Sequence, residues 1–189
     1  NCVSNIIASG IIPAGMEMMD KALIHATDNF VKAGYPRNAA AMLIVELDGT
    51  KIEVEELIQK VCKIAEKNKS SSIKISKNEK QRLKFWAGRK AAFPACGDLA
   101  PDYYCMDGTI PRGKLAEVLK EIGRLSKKYN LPVANAFHAG DGNLHPLIMY
   151  DANQKDALEK TEKFGADILK YCVKIGGVLT GEHGVGVEK

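Results

Sequence analysis

The stretch from Val133 to Tyr150 constrains the fold more than any other, because two strand-forming runs, Val133 to His138 and Asn143 to Tyr150, flank Asp141-Gly142. Asp-Gly between such runs is a strong hairpin signal, since the glycine tolerates the positive φ that a tight reversal needs. Amphipathic helix patterns stand on both sides of the hairpin. Leu115, Val118, Leu119, Ile122 and Leu125 recur at helical spacing between Lys114 and Tyr129, and Leu158, Phe164, Ile168, Leu169 and Cys172 do so between Asn153 and Ile175. Tyr103 to Ile110, rich in strand formers, precedes the first helix, and Gly176-Gly177 ends the second before the short extended piece Val178 to Thr180. The order is βαββαβ, the ferredoxin-like arrangement, in which an antiparallel sheet carries both helices on one face.

The first half reads as a worn copy of the same unit. It offers a short helix (Cys2 to Ala8), a strand near Ala14 to Met19, a helix from Lys21 to about Lys32 and a buried strand from Ala41 to Leu47. After a turn at Asp48-Gly49 come a helix bearing Val54, Leu57, Ile58, Val61 and Ala65, a strand Ser72 to Ser76 and a helix Glu79 to Ala92. The expected class is therefore α+β, a tandem of ferredoxin-like units. Residues 1–95 form the first, short of its opening strand, residues 96–189 the second, and Pro94 to Pro101 the linker. A chain of 189 residues with 46% hydrophobic content can bury a core of this size.

Composition excludes several functions. The longest apolar stretch, Ala39 to Val45, is strand-sized, far short of the roughly 18 residues of a membrane span. The net charge of +4 is spread over helical patterns in which Lys60, Lys63 and Lys67 interleave with Glu55, Glu56 and Glu66, a solvated face rather than a nucleic-acid footprint. Tyr103 and Tyr104 are adjacent and face opposite sides of a strand, so they make no base-stacking platform. Five widely spaced cysteines fit reduced thiols in a cytosolic protein. A start at Asn1 without a leader, and an end at Lys189 directly after a glycine-rich motif, read as cuts in a longer chain.

Candidate chemistry gathers in two glycine-rich motifs. In Phe137-His138-Ala139-Gly140-Asp141-Gly142-Asn143-Leu144-His145, a two-residue turn at Asp141-Gly142 would pair His138 with His145. Their Cβ atoms would stand about 4.5–5.5 Å apart, within reach of one metal ion. The alternative is a glycine-rich hairpin with two surface or hydrogen-bonded histidines. In Thr180-Gly181-Glu182-His183-Gly184-Val185-Gly186, Glu182 is a candidate third ligand, completing a set suited to zinc, iron or manganese. His183 is a candidate general base, imidazole being the side chain that exchanges a proton near neutral pH; a solvated turn is the plainer reading. In Phe85-Trp86-Ala87-Gly88-Arg89-Lys90, the planar fork of Arg89 could grip a carboxylate, although a Trp beside cations is more often a core residue. His25 belongs to a helical pattern and reads as structural.

At these residues the chain resembles the C-terminal substrate domain of the FAD-linked oxidase family that includes D-lactate and D-2-hydroxyglutarate dehydrogenases. The resemblance rests on Gly10-Ile11-Ile12-Pro13-Ala14, Met16-Glu17-Met18-Met19-Asp20, Val45-Glu46-Leu47-Asp48-Gly49, Gly88-Arg89-Lys90 with Phe93, Asp107-Gly108-Thr109-Ile110-Pro111-Arg112 and the two histidine motifs. The stretch around Arg89 and Phe93 favours the glycolate oxidase branch. The resemblance implies an FAD-dependent 2-hydroxy-acid dehydrogenase in which a separate N-terminal domain binds FAD and this domain caps the flavin, so that the fragment alone is inactive. By similarity, His138, His145 and Glu182 hold a divalent metal, Arg89 and Asn143 bind substrate, and His183 removes the hydroxyl proton as hydride leaves for the flavin. Relatives that take dicarboxylates carry a hydroxyl residue where this chain has Phe93, and Cys105 replaces a lysine of some relatives, so glycolate or lactate is the expected substrate. Iron–sulfur partner subunits and a cytoplasmic place, peripheral to the inner face of the membrane, are further implications. The competing reading is a non-catalytic ferredoxin-like module that binds a metal or ligand.

Overall fold

The computed structural model describes residues 1–187 and Lys189. One antiparallel sheet runs through both halves of the chain. Its strands are β1 (Gly15–Asp20), β2 (Ala41–Glu46), β3 (Asp102–Cys105), β4 (Gly108–Thr109), β5 (Val133–His138) and β6 (Asn143–Tyr150), in the order β2-β1-β5-β6-β3, with β4 also on β6. The helices are α1 (Cys2–Ala8), α2 (Lys21–Val31), α3 (Lys51–Lys67), α4 (Glu79–Lys90), α5 (Ala92–Ala95), α6 (Leu115–Tyr129) and α7 (Ala157–Lys174). The α+β class and the antiparallel sheet agree with the sequence reading, as do the bounds of β5 and β6.

Side chains alternate across a strand, and here both alternations are apolar. Met16, Met18, Phe137, Leu144 and Ile148 face a layer in which α6 and α7 bury Val118, Ile122, Leu125, Phe164 and Ile168, flanked by α1 and α3. Met19, Ala134, Ala136, Leu147 and Met149 face the other way, against Leu23 and Ile24 of α2 and Ala92 of α5. The helices thus cover both faces, not one as expected. A sheet whose central strands are apolar on both sides needs two covers, and each large side chain fully buried contributes about 1.5–3 kcal/mol.

Local signals set the helix ends. Asp20 caps α2 by accepting the Leu23 N–H at 3.1 Å, Asn78 caps α4 through the Gln81 N–H at 3.0 Å, and Thr50 with Glu53 forms a capping box on α3. Two expectations need correction. Ser72 to Ser76 forms no strand; Ile73 and Ile75 are exposed, and two apolar residues between lysines and serines give too little surface to seat the segment on the sheet. The strand expected from Tyr103 to Ile110 is interrupted at Met106-Asp107, although the register against β6 is the same on both sides and the Met106 N–H donates to the Pro146 carbonyl at 3.1 Å; Pro146, with no N–H, returns no bond.

Candidate functional site

The β1, β5 and β6 ends on the α2 side of the sheet carry Glu17, His138, Asn143 and His145. The β5–β6 reversal takes four residues, with the Asp141 and Gly142 N–H groups each 3.1 Å from the His138 carbonyl they donate to. Gly142 has φ 75°, and a Cβ there would lie 2.2 Å from the Ile110 carbonyl oxygen. Consequently His138 pairs with Asn143 and Ala136 with His145, in place of the expected His138–His145 pair. The offset is two residues, which keeps both histidines on the same face. Their rings still meet, with centroids 5.1 Å apart and planes at 88°.

Glu17, opposite His138 on β1, ties two groups together. Its Oε1 lies 2.8 Å from His138 Nδ1, and its Oε2 accepts from Arg89 Nε at 3.0 Å. With Nδ1 protonated and donating, the His138 Nε2 lone pair is aimed away from Glu17, the arrangement that orients a metal-binding imidazole. Arg89 is held by its helix: Tyr35 Oη donates to the Phe85 carbonyl at 2.5 Å and accepts the Gly88 N–H at 3.0 Å. Only glycine fits at 88, since a Cβ would fall 2.2 Å from the Tyr35 ring. Arg89 is buried, and its Nη2, 2.9 Å from Glu17 Oε2, makes no aligned hydrogen bond.

The chain after α7 returns across β4. Thr109 and Val178 exchange backbone hydrogen bonds of 3.1 and 3.0 Å, and Gly177 passes so close that a Cβ would be 1.9 Å from the Thr109 oxygen. Asp107, fully buried, then collects the loop that follows. Its Oδ2 accepts from Thr180 Oγ1 at 2.6 Å and from the N–H groups of Gly181, Glu182 and His183 at 3.0, 3.1 and 2.8 Å. Burial alone would raise the pKa of this carboxyl, but the Thr180 hydroxyl and these three amides outweigh it and hold the group well below the usual carboxylate range. Gly181 rests against Asn143, where a Cβ would be 2.5 Å from the side chain.

This loop brings Glu182 Oε1 to 2.8 Å from His145 Nε2, 3.5 Å from His138 Nε2 and 3.7 Å from His183 Nε2. The donor atoms of His138, His145 and Glu182 all lie within 4.8 Å of one another. Two imidazoles and a carboxylate so placed fit a zinc or first-row transition-metal ion and leave positions open. The hydrogen bond to Glu17 raises the His138 pKa, whereas burial lowers that of His145 and favours its neutral, ligating form. Asn143 Oδ1 is buried with no hydrogen-bond partner among the described residues, beside a cleft lined by Thr109, His138, Asp141, Gly181 and Glu182. The Phe93 ring stands edge-on to His145 at 6.4 Å.

Of the residues singled out in the sequence, His138, Asn143, His145, Glu182 and His183 converge, and Arg89 joins through Glu17. Trp86 lies against Gly15 in a groove that Glu17 also lines, and His25 Nε2 contacts the Arg37 carbonyl at 2.5 Å, outside the cluster. Sequence reasoning missed Glu17, Asp107 and Tyr35. The available signal for the first two was an acid inside a strand-like apolar run, Met16-Glu17-Met18 and Met106-Asp107, which must be paired if buried.

Fold and cluster together define an α+β domain with histidines and carboxylates gathered at one end of its sheet. The chain belongs to the family of FAD linked oxidases, C-terminal domain, which matches residues 1–189. It is 52% identical over 187 residues to the glycolate oxidase subunit GlcD of Escherichia coli, covering 99% of this chain and 38% of the relative. Identity to the GlcD subunit of Bacillus subtilis is 36%, over 99% of this chain and 40% of the relative. The mitochondrial D-lactate dehydrogenase (cytochrome) of Arabidopsis thaliana is 30% identical, over 96% of this chain and 32% of its own length. The chain thus spans about two-fifths or less of these relatives. Among solved structures, p-cresol methylhydroxylase with substrate bound superposes with a TM-score of 0.65 at 14% identity, covering 95% of this chain and 42% of that one.

Proposed function

We propose that this domain is the substrate-side part of an FAD-dependent 2-hydroxy-acid dehydrogenase of the glycolate oxidase type. The observation that carries the reading is the convergence of His138, His145 and Glu182, with His183 and Arg89 at its border. The names of the GlcD relatives support the same substrate class. Phe93, packed on His145, narrows the site and favours a small monocarboxylate such as glycolate or D-lactate.

In this reading His138, His145 and Glu182 hold a divalent ion, zinc, iron or manganese, which when bound makes a coordinated hydroxyl easier to deprotonate. FAD, bound mainly by a separate domain, supplies the hydride acceptor. Arg89, ion-paired with Glu17 through Nη2, offers its remaining N–H groups to the substrate carboxylate, and Asn143 offers its free oxygen to a hydroxyl. His183 accepts the hydroxyl proton at a ring nitrogen; Asp107, fixing its backbone, keeps it in place. We keep the division into halves 1–95 and 96–189, joined edge to edge through β1 and β5, although the first half contributes only two strands to the sheet and its helices lie on both faces. Iron–sulfur partner subunits and a peripheral cytoplasmic location accompany this assignment; among the described residues no helix is long and apolar enough to cross a membrane.

Elemental analysis and turnover of the intact protein that carries this chain test the reading. About one bound metal per chain is expected, lost together with glycolate oxidation in His138→Ala/His145→Ala, while His183→Ala keeps the metal and loses turnover by about a hundredfold or more. Full turnover in both variants would overturn it.

A further inference from the structure

A second group of donors overlaps the first: Cys105 Sγ and one ring nitrogen each of His145 and His183 lie within 4.8 Å of one another. Cys105 ends β3 opposite Leu147, so its thiol shares the sheet face of the histidines. His183 stacks on His145, with centroids 5.1 Å apart and planes at 18°. A thiolate with two imidazoles is a softer set than two imidazoles with a carboxylate, and it selects thiophilic ions such as cadmium or zinc over manganese or magnesium. His145 belongs to both sets. Two dications around one neutral imidazole would repel strongly at such separations, so the two sets exclude each other.

We propose that Cys105, His145 and His183 form a second, alternative site for a thiophilic divalent ion, and that filling it displaces metal from the His138–His145–Glu182 set. The ion takes the place of the thiol proton: a metal–sulfur bond forms, the S–H bond breaks, the proton leaves to solvent, and no electron is transferred. Binding at this site does not depend on the dehydrogenase reading. Only its consequence for turnover does, because it removes His183 from proton transfer.

The test is a cadmium titration of the intact, metal-free protein, following the ultraviolet thiolate-to-cadmium charge-transfer band and the cadmium bound per chain. The wild type should develop the band to saturation at one cadmium per chain. Cys105→Ser and Cys105→Ala should lose it, while Cys62→Ser, altered in a thiol on α3, should retain it. His138→Ala should also retain the band, since that residue belongs only to the first set. A band that persists in both Cys105 variants, or cadmium bound to the wild type without any band, would overturn the proposal. If the protein oxidises 2-hydroxy acids, cadmium inhibition should weaken by about tenfold or more in Cys105→Ser. A normal band with no such activity in any variant would sink the dehydrogenase reading and leave the second site standing.

Discussion

At the scale of single residues, Asp107 decides where Glu182 and His183 stand, because one buried carboxylate oxygen takes a hydroxyl and three amides from the loop that carries them. Its pKa is depressed on folding, so its contribution to stability is fully present above the unfolded value of about 3.9 and is lost as pH falls through the lower folded value. Asp107→Asn should cost about 2–3 kcal/mol in urea unfolding at neutral pH, with the gap to wild type narrowing below about pH 4. His138 has the opposite sign. Raised chiefly by its hydrogen bond to Glu17, it adds stability to the metal-free protein below about pH 6.5, lost as pH rises through the raised value. Ring NMR titration should place His138 above His145, and Glu17→Gln should bring His138 down. The histidines and Glu182 were legible in the sequence because reactive residue types among glycines rarely serve packing. Glu17 and Asp107 were not, because each sits in a strand-like run whose burial only the folded sheet reveals.

At the scale of elements, the boundaries of the β5–β6 hairpin were legible to the residue, yet its register was not. Asp-Gly announces a reversal but not its length, and the four-residue loop is fixed by Ile110, which accepts no side chain at 142 and whose own N–H bonds to the Gly142 carbonyl at 2.9 Å. The helices on both sheet faces were likewise hidden, since periodicity shows that a helix has an apolar stripe but not what it lies against. Helix α4 shows how an element positions chemistry without touching it. Tyr35 pins the α4 backbone on both sides of Ala87, one residue from Arg89. Tyr35→Phe should destabilise the protein by about 1–2 kcal/mol and, in the proposed dehydrogenase reaction, raise the KM for substrate more than it lowers kcat. An equal fall in kcat with unchanged KM would assign Arg89 no part in ground-state binding.

At the scale of the whole molecule, the fold class followed from the order of helical and strand patterns, whereas the union of both halves in one sheet did not, because β1–β5 pairing joins segments far apart in sequence. The site crosses the same seam: Glu17 comes from the first half, and His138, His145 and Glu182 from the second. Metal at about a hundred times its dissociation constant should therefore stabilise the molecule as a unit by about 2.7 kcal/mol, raising Tm by about 5–10 °C in a single transition, reversed by a chelator. Two separate transitions, only one of them metal-dependent, would mean that the halves melt independently.

The Asp107 cradle also bears on biosynthesis. A ribosome delivers the sheet residues, including His138, His145 and Asp107, before it reaches Thr180 to His183, so the nascent domain can assemble its two imidazoles while the carboxylate that completes the set is still unmade. Until Thr180 to His183 emerge, a buried Asp107 would lack the amides that offset its burial. Closure of the sheet around that carboxylate therefore waits on residues 180–183, and the order of translation sets the order in which the cluster is assembled, imidazoles first and Glu182 last.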